Sequence, residues 1–139
     1  MMSTGDVDDR GALVGLWRLA SAEHWADGVR VYPFGAAPIG SMLISADGAV
    51  SCQVARNEAS SPSGEEELAI HERLFAVWGR WTISGEILVI DVLGSADPAL
   101  VGVAQRRRYT VEAESLILEG SPAPNVVSSL SYAIRWTRV

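Results

Sequence analysis

The apolar residues of this chain are gathered into short runs that turn-forming residues separate, and no other feature constrains the fold as strongly. Between Leu13 and Arg138 there are about eight such runs, and most connections between them have the length of a hairpin loop. The clearest connection is Ala46-Asp47-Gly48, because Asp-Gly readily adopts the positive φ angles of a tight turn. This spacing predicts an antiparallel up-and-down β-barrel, in which closure removes unpaired strand edges, and a β-sandwich is the structural alternative.

One segment, from Glu65 to Ala76, predicts the single helix of an otherwise all-β protein. Its three opening carboxylates suit the positive end of a helix dipole. Leu68, His71 and Phe75 then recur at i, i+3 and i+7, so that one side of the helix is apolar and is expected to pack on the barrel.

Length and charge limit the protein classes that this sequence fits. A chain of 139 residues is the size of one domain, which we place at residues 13–139, after a disordered or loosely packed lead at residues 1–12. The net charge is -6, which argues against nucleic acid as a partner. No apolar run approaches the about 18 residues of a membrane helix, and the lead does not resemble a signal peptide, so we expect a cytoplasmic protein that binds no membrane.

The sequence offers no motif for a metal, a cofactor or a nucleophile. Its two histidines, His24 and His71, have no second imidazole or thiolate at ligand spacing, and we predict no metal and no cofactor. The single cysteine, Cys52, lies in an apolar strand, where a buried thiol is the usual outcome and an activated nucleophile the rare one.

Both ends of the barrel segment carry a recognisable pattern. Gly15-Leu16-Trp17 lies in the first strand, and Arg135-Trp136-Thr137-Arg138 lies in the last. With these two patterns the chain resembles the lipocalin-like domain family of bacteria and fungi. Further residues between the two ends support the same resemblance: Asp27-Gly28, Tyr32-Pro33-Phe34-Gly35, Pro38-Ile39-Gly40, Asp47-Gly48, Arg56, Gly79, Pro98, Gly102, Gln105 and Arg107 to Tyr109.

That resemblance implies a barrel with a cavity, and it implies structural roles at both chain ends. In lipocalins the Gly-x-Trp tryptophan lies at the closed end of the barrel, and an arginine from near the last strand packs over it in a cation-π contact. The resemblance therefore implies structural roles for Gly15 and Trp17, and for Arg135 and Arg138.

The candidate catalytic residues are Asp91, Arg80 and His71. Asp91 interrupts the apolar strand Ile87 to Leu93. If it points outward, it is a surface acid; if it points inward, it needs a partner such as Arg80, because an unpaired buried carboxylate is costly. His71 is a general base if the predicted helix crosses the barrel mouth, and otherwise an edge residue of the packed face.

The candidate ligand-binding residues follow from strand alternation. If Trp17 points inward, Ser21 shares its face, and the bulkier faces of the other strands contribute aromatic side chains. The predicted lining comprises Trp81, Tyr109, Tyr132, Tyr32 and Ser21. Such a lining suits a flat, partly unsaturated ligand, unless the rings simply fill a small solid barrel.

Three functional hypotheses remain open. The first is binding of a small hydrophobic molecule, such as a polyketide or another secondary metabolite, in the barrel cavity. The second is a cofactor-independent cyclase, isomerase or dehydratase that uses the same cavity, with Asp91, an arginine or a tyrosine moving protons. The third is a structural or dimerisation domain with a filled barrel, and a homodimer is compatible with all three.

Overall fold

The computed structural model describes residues 5–57, 74–120 and 131–139, with side chains from residue 9 onward. Its elements are α1 (Gly5–Leu13), β1 (Gly15–Ala26), β2 (Val29–Val31), β3 (Ile39–Ile44), β4 (Ala49–Ala55), β5 (Leu74–Ser84), β6 (Ile87–Ser95), a 3-10 helix (Pro98–Leu100), β7 (Ala104–Glu112), β8 (Ser115–Gly120) and β9 (Ser131–Arg138).

Within the described residues, eight strands form a closed antiparallel barrel. Strands β3 to β9 pair in chain order, β1 pairs with β3 on one side, and β9 pairs with β1 on the other. The short strand β2 pairs only with the end of β1. The predicted up-and-down barrel is confirmed, and the β-sandwich alternative is wrong, because the β1–β9 pairing closes the sheet on itself.

The hairpin predicted at Asp47-Gly48 is also confirmed. Gly48 has a φ of +100°, and the backbone N–H of Ser45 donates to the carbonyl oxygen of Ala49 over 2.9 Å. The hydroxyl of Ser45 donates to the Asp47 carboxylate inside the turn. Asp47 therefore stabilises the turn locally, and Gly48 supplies its left-handed backbone.

The predicted helix from Glu65 to Ala76 is wrong for its last three residues, which lie in β5. The rest of that prediction falls at residues 65–73, outside the described residues. Phe75 pairs with Val54, and Val77 pairs with Cys52, so these apolar side chains alternate along a strand. Over so short a run, apolar residues fit a helical and an alternating pattern equally well, and pairing with β4 decides between them.

A helix is present instead at the N-terminus, within the lead that the sequence analysis placed before the domain. The carboxylate of Asp9 accepts a hydrogen bond of 2.7 Å from the hydroxyl of Tyr109. The Arg10 guanidinium carbon lies 4.2 Å from the centroid of the Trp81 ring. Leu13 is completely buried. Helix α1 therefore covers one end of the barrel, which we call the α1 end.

An irregularity in β1 changes which of its side chains face inward. Trp17 and Leu19 are buried in the core, but the register with β9 shifts between Leu19 and Ser21. Beyond the shift, Ala22 is buried and His24 reaches the interior. A bulge of this kind inserts one residue and reverses the alternation of inward- and outward-facing side chains. A prediction that assumes strict alternation along the whole strand therefore assigns the wrong face beyond the bulge.

Candidate functional site

A cavity of about 620 Å³ lies in the part of the barrel away from the α1 end. All eight barrel strands contribute to its wall, and the segments after β2 and β4 contribute at the rim. Most of the wall is apolar, and it is formed by Pro33, Phe34, Met42, Val54, Phe75, Val77, Ile90, Leu118, Ile134 and Trp136. A concave, largely apolar space with a few polar groups is typical of a small-molecule site.

Six further side chains bring polar or titratable groups to this wall: His24, Cys52, Arg56, Gln105, Arg107 and Tyr132. Two of them are arginines, and among the described lining residues there is no aspartate and no glutamate. The chain as a whole has a net charge of -6, so the charge of the described cavity wall is opposite in sign to the net charge of the protein.

Arg107 reaches the cavity because of its position in β7. Gln105 and Tyr109 on the same face are buried, whereas Arg106 and Arg108 on the opposite face are exposed. The Arg107 guanidinium carbon lies 5.0 Å from the centroid of the Tyr132 ring. Its Nη1 donates to the backbone carbonyl oxygen of Arg106 over 3.0 Å. No carboxylate of the described chain lies within 4.0 Å of this guanidinium.

Burial governs the protonation of the Arg107–Tyr132 pair. Desolvation lowers the pKa of Arg107, and the nearby Tyr132 and Cys52 act in the opposite direction. Desolvation likewise raises the pKa of Tyr132, and the Arg107 charge partly offsets this. An arginine keeps its proton in proteins, and a tyrosine with a raised pKa keeps its own, so the pair combines a cation with a neutral hydroxyl at pH 7.

The other two titratable groups in this part of the wall are also neutral at pH 7. Desolvation lowers the pKa of His24, whose ring centroid is 5.6 Å from that of Tyr132. Desolvation raises the pKa of the Cys52 thiol to about 12. The charge among these four residues is therefore that of Arg107.

Of the five predicted ligand-binding residues, Tyr132 lines the cavity, and the other four lie elsewhere in the described structure. Trp81 and Tyr109 are buried at the α1 end, where the Trp81 Nε1 donates to the carbonyl oxygen of Ser45 over 2.8 Å. Tyr32 is exposed, and its hydroxyl accepts a hydrogen bond from Arg30. Ser21 follows the irregularity in β1, and so does not share the inward face of Trp17.

The predicted catalytic residues are not brought together in the cavity. Asp91 and Arg80 are exposed register partners on the outer face of β6 and β5. Their neighbours Ile90 and Trp81 point inward, so strand alternation places both charged groups in solvent. His71 lies outside the described residues.

Four residues were predicted to have structural roles. Gly15, Trp17 and Arg138 lie together in the structure, and Arg135 lies elsewhere. The Arg138 guanidinium carbon is 4.2 Å from the centroid of the Trp17 ring, next to Gly15. The Nε1 of Trp17 donates to the carbonyl oxygen of Leu13 over 2.9 Å. Arg135 instead faces outward, where its Nε lies 3.4 Å from the Glu23 carboxylate.

Sequence reasoning did not select Arg107, Gln105, His24, Phe75 or Phe34 for the cavity. A signal was present for the first two, because Gln105 and Arg107 alternate with Tyr109, which the sequence analysis did place inside. Charged side chains are rarely buried without a partner. A prediction that selects the bulky apolar residues of each strand as the cavity lining therefore does not select an inward-facing arginine. The segment that carries Phe34 has no strand pattern from which its orientation could be inferred.

No helix in the described ranges is long and apolar enough to cross a membrane. Among the same residues, no group of three or more His, Cys, Asp or Glu side chains is arranged to hold a metal ion.

Comparison with known proteins identifies the family. Neither the curated proteins nor the solved structures that were compared with the chain include a match. Residues 14–139 match the sequence model of a family described as a lipocalin-like domain, and this range begins next to Gly15 and includes every barrel strand. The chain therefore belongs to the lipocalin-like domain family.

Proposed function

We propose that this protein binds a small hydrophobic molecule in the barrel cavity. The observation that carries the proposal is the concave space of about 620 Å³ inside the barrel, whose wall is mostly apolar. This volume lies inside the range of roughly 300 to 1,000 Å³ that is usual for ligand sites. Each Å² of apolar ligand surface removed from water contributes about 25 cal/mol, so binding needs no covalent or metal contact.

The aromatic residues support binding over the filled-barrel alternative. Trp17, Trp81 and Tyr109 are packed in the core at the α1 end, whereas Phe34 and Phe75 line the cavity at the other end. Aromatic rings favour stacked or edge-on contacts with flat groups. We propose a partly unsaturated ligand, such as a polyketide or another secondary metabolite.

A cavity-narrowing substitution tests this function. N-phenyl-1-naphthylamine, a neutral apolar dye that fluoresces when it leaves water, is titrated into the native protein and into Val54→Phe. Val54 faces the cavity, so the added ring occupies ligand volume and is expected to weaken dye binding about tenfold, or about 1.4 kcal/mol.

Gln53→Phe is the matched control, because Gln53 is adjacent in β4 and exposed on the outer face. It adds the same ring to the same strand, and its dye affinity is expected to equal that of the native protein. Absence of dye binding to the native protein, or equal losses in both variants, would contradict binding in the cavity.

A cofactor-independent cyclase, isomerase or dehydratase is the second candidate function. One observation favours it: the side chains that line the cavity include a tyrosine and a histidine, Tyr132 and His24, that are both neutral at pH 7. A positioned acid or base contributes roughly a hundredfold or more to a proton transfer. In this version the groups that move protons are Tyr132 and His24, in place of Asp91.

Native mass spectrometry of the protein after incubation with a metabolite extract of its host separates the two functions. A bound molecule that is recovered unchanged supports a binding protein. A molecule that is returned altered, even as an isomer with a new retention time, supports the enzyme, and Tyr132→Phe is then expected to abolish the conversion.

A further inference from the structure

We infer that the ligand carries a carboxylate, and that Arg107 binds this group inside the barrel. This inference rests on the proposed binding function and adds the chemical class of the ligand. Arg107 faces a wall that is mostly apolar, and its one described hydrogen-bond partner is a backbone carbonyl of its own strand.

The position of Arg107 is costly unless an anion joins it. Removing a guanidinium from water is unfavourable, and proteins normally offset that cost with a carboxylate partner. No carboxylate of the described residues is within ion-pair distance of Arg107. The groups that act on its charge are Tyr132 and Cys52, two weak acids that stay neutral at pH 7. A ligand carboxylate would supply a negative charge that no described residue places within ion-pair distance of Arg107.

Two polar atoms of cavity-lining side chains have no hydrogen-bond partner among the described residues. In the described part of the protein, the hydroxyl of Tyr132 and the Nε1 of Trp136 are buried with no hydrogen bond, and both side chains line the cavity. Buried polar atoms in proteins are nearly always paired, so these two donors leave the wall beside the cavity short of acceptors. Gln105, two residues from Arg107 on the same face, adds an amide donor.

Charge and donor geometry favour a carboxylate over a neutral polar group. The guanidinium presents parallel N–H donors that match the two oxygens of a carboxylate. The second arginine of the wall, Arg56, donates to the carbonyl oxygen of Pro33 over 3.4 Å at the rim. It adds positive charge along the entrance, so an anion is attracted before it reaches Arg107.

Two ligands that share one chain and differ in the head group test the inference. Decanoate and decan-1-ol are titrated into the full-length protein at pH 7.5 by isothermal titration calorimetry. Decanoate is expected to bind at least about tenfold more tightly than the alcohol, because only the carboxylate gains the charge-assisted contact. Equal affinity for both ligands would overturn the carboxylate inference and leave hydrophobic binding intact. Absence of binding by both ligands would contradict the proposed function as well.

Substitutions along β7 assign the effect to one residue. Arg107→Gln is expected to reduce decanoate affinity to that of decan-1-ol, and Arg107→Lys to retain part of the preference, because it keeps the charge without the paired donors. Arg106→Gln is the matched control, since it removes the same charge from the exposed face of the same strand. A cooperative thermal unfolding transition, followed by circular dichroism, reports that each variant is folded. A carboxylate preference that survives Arg107→Gln would overturn the assignment to Arg107.

Discussion

The guanidinium of Arg138 lies over the ring of Trp17, with its central carbon 4.2 Å from the ring centroid. Its Nη1 and Nη2 donate to the carbonyl oxygens of Val14 and Ala12, over 2.9 and 2.6 Å. Arg138 is the last residue of β9, and Trp17 is the third residue of β1, so this contact joins the two strands that close the barrel. The same guanidinium thereby holds the end of α1 against the sheet.

Gly15→Ala is expected to destabilise the protein. Gly15 has a φ of +143°, and an added Cβ would lie 2.7 Å from the Nη1 of Arg138. Backbone strain and displacement of the arginine together are expected to lower the free energy of unfolding by about 1 to 3 kcal/mol, measured by urea denaturation. Gly11→Ala in α1 is the control, because its added Cβ meets nothing within 4 Å and alanine favours a helix. Equal stability of Gly15→Ala and the native protein would contradict this account.

Trp17→Ala is expected to cost about 3 to 5 kcal/mol of unfolding free energy, as large aromatic truncations in a core do. Trp17 is completely buried, whereas Trp78 is 56% exposed on the outer face. Trp78→Ala removes the same side chain and is expected to cost about 1 kcal/mol or less. A melting temperature that does not move in Trp17→Ala would show that the indole contributes nothing to closure of the α1 end.

Asp91→Asn is expected to leave ligand affinity and any turnover unchanged. Asp91 is exposed on the outer face of β6, beside Arg80, and neither residue lines the cavity. Binding of N-phenyl-1-naphthylamine and conversion of the host metabolites are the two measurements. Loss of turnover with affinity retained would return Asp91 to the mechanism and would require a reaction outside the cavity.

The Cys52 thiol is expected to resist alkylation in the folded protein. Burial raises its pKa to about 12, so at pH 8 the folded state holds far less thiolate than the unfolded state, and thiolate is the reactive form. Labelling by iodoacetamide, followed by intact mass, is expected to be at least about a hundredfold slower in buffer than in urea. Rapid labelling of the folded protein would contradict a desolvated thiol.

The stability of the protein is expected to fall as the pH decreases below about 6.5, because of His24. Burial lowers the pKa of His24, so the unfolded state takes up its proton first and is favoured by acid. This contribution is fully present above the unfolded pKa and is lost as the pH falls toward the lowered folded pKa. Urea denaturation at pH 7.5 and 5.5 measures it.

His24→Gln provides the comparison, because it keeps a polar side chain that does not titrate. Its unfolding free energy is expected to change less between the two pH values than that of the native protein. An identical change in both proteins would mean that other groups cause the pH dependence.

The sequence by itself determined the architecture and one end of the barrel. Alternating apolar runs and the Asp47-Gly48 turn predicted an antiparallel barrel, because side-chain period and turn chemistry are local properties of the chain. The Gly15, Trp17 and Arg138 pattern identified residues that meet at the α1 end. Each of these signals depends on neighbours in sequence or on a motif long enough to recognise.

Only the tertiary structure decided which residues form the cavity. The irregularity after Leu19 turns Ser21 away from the inner face and brings Ala22 and His24 onto it, and pairing with β4 makes Phe75 part of a strand. Asp91 interrupts the apolar strand β6 and faces solvent, whereas Arg107 in the polar strand β7 faces the cavity. Strand register and closure determine these orientations, and they depend on contacts between residues far apart in the chain, which the local sequence does not encode.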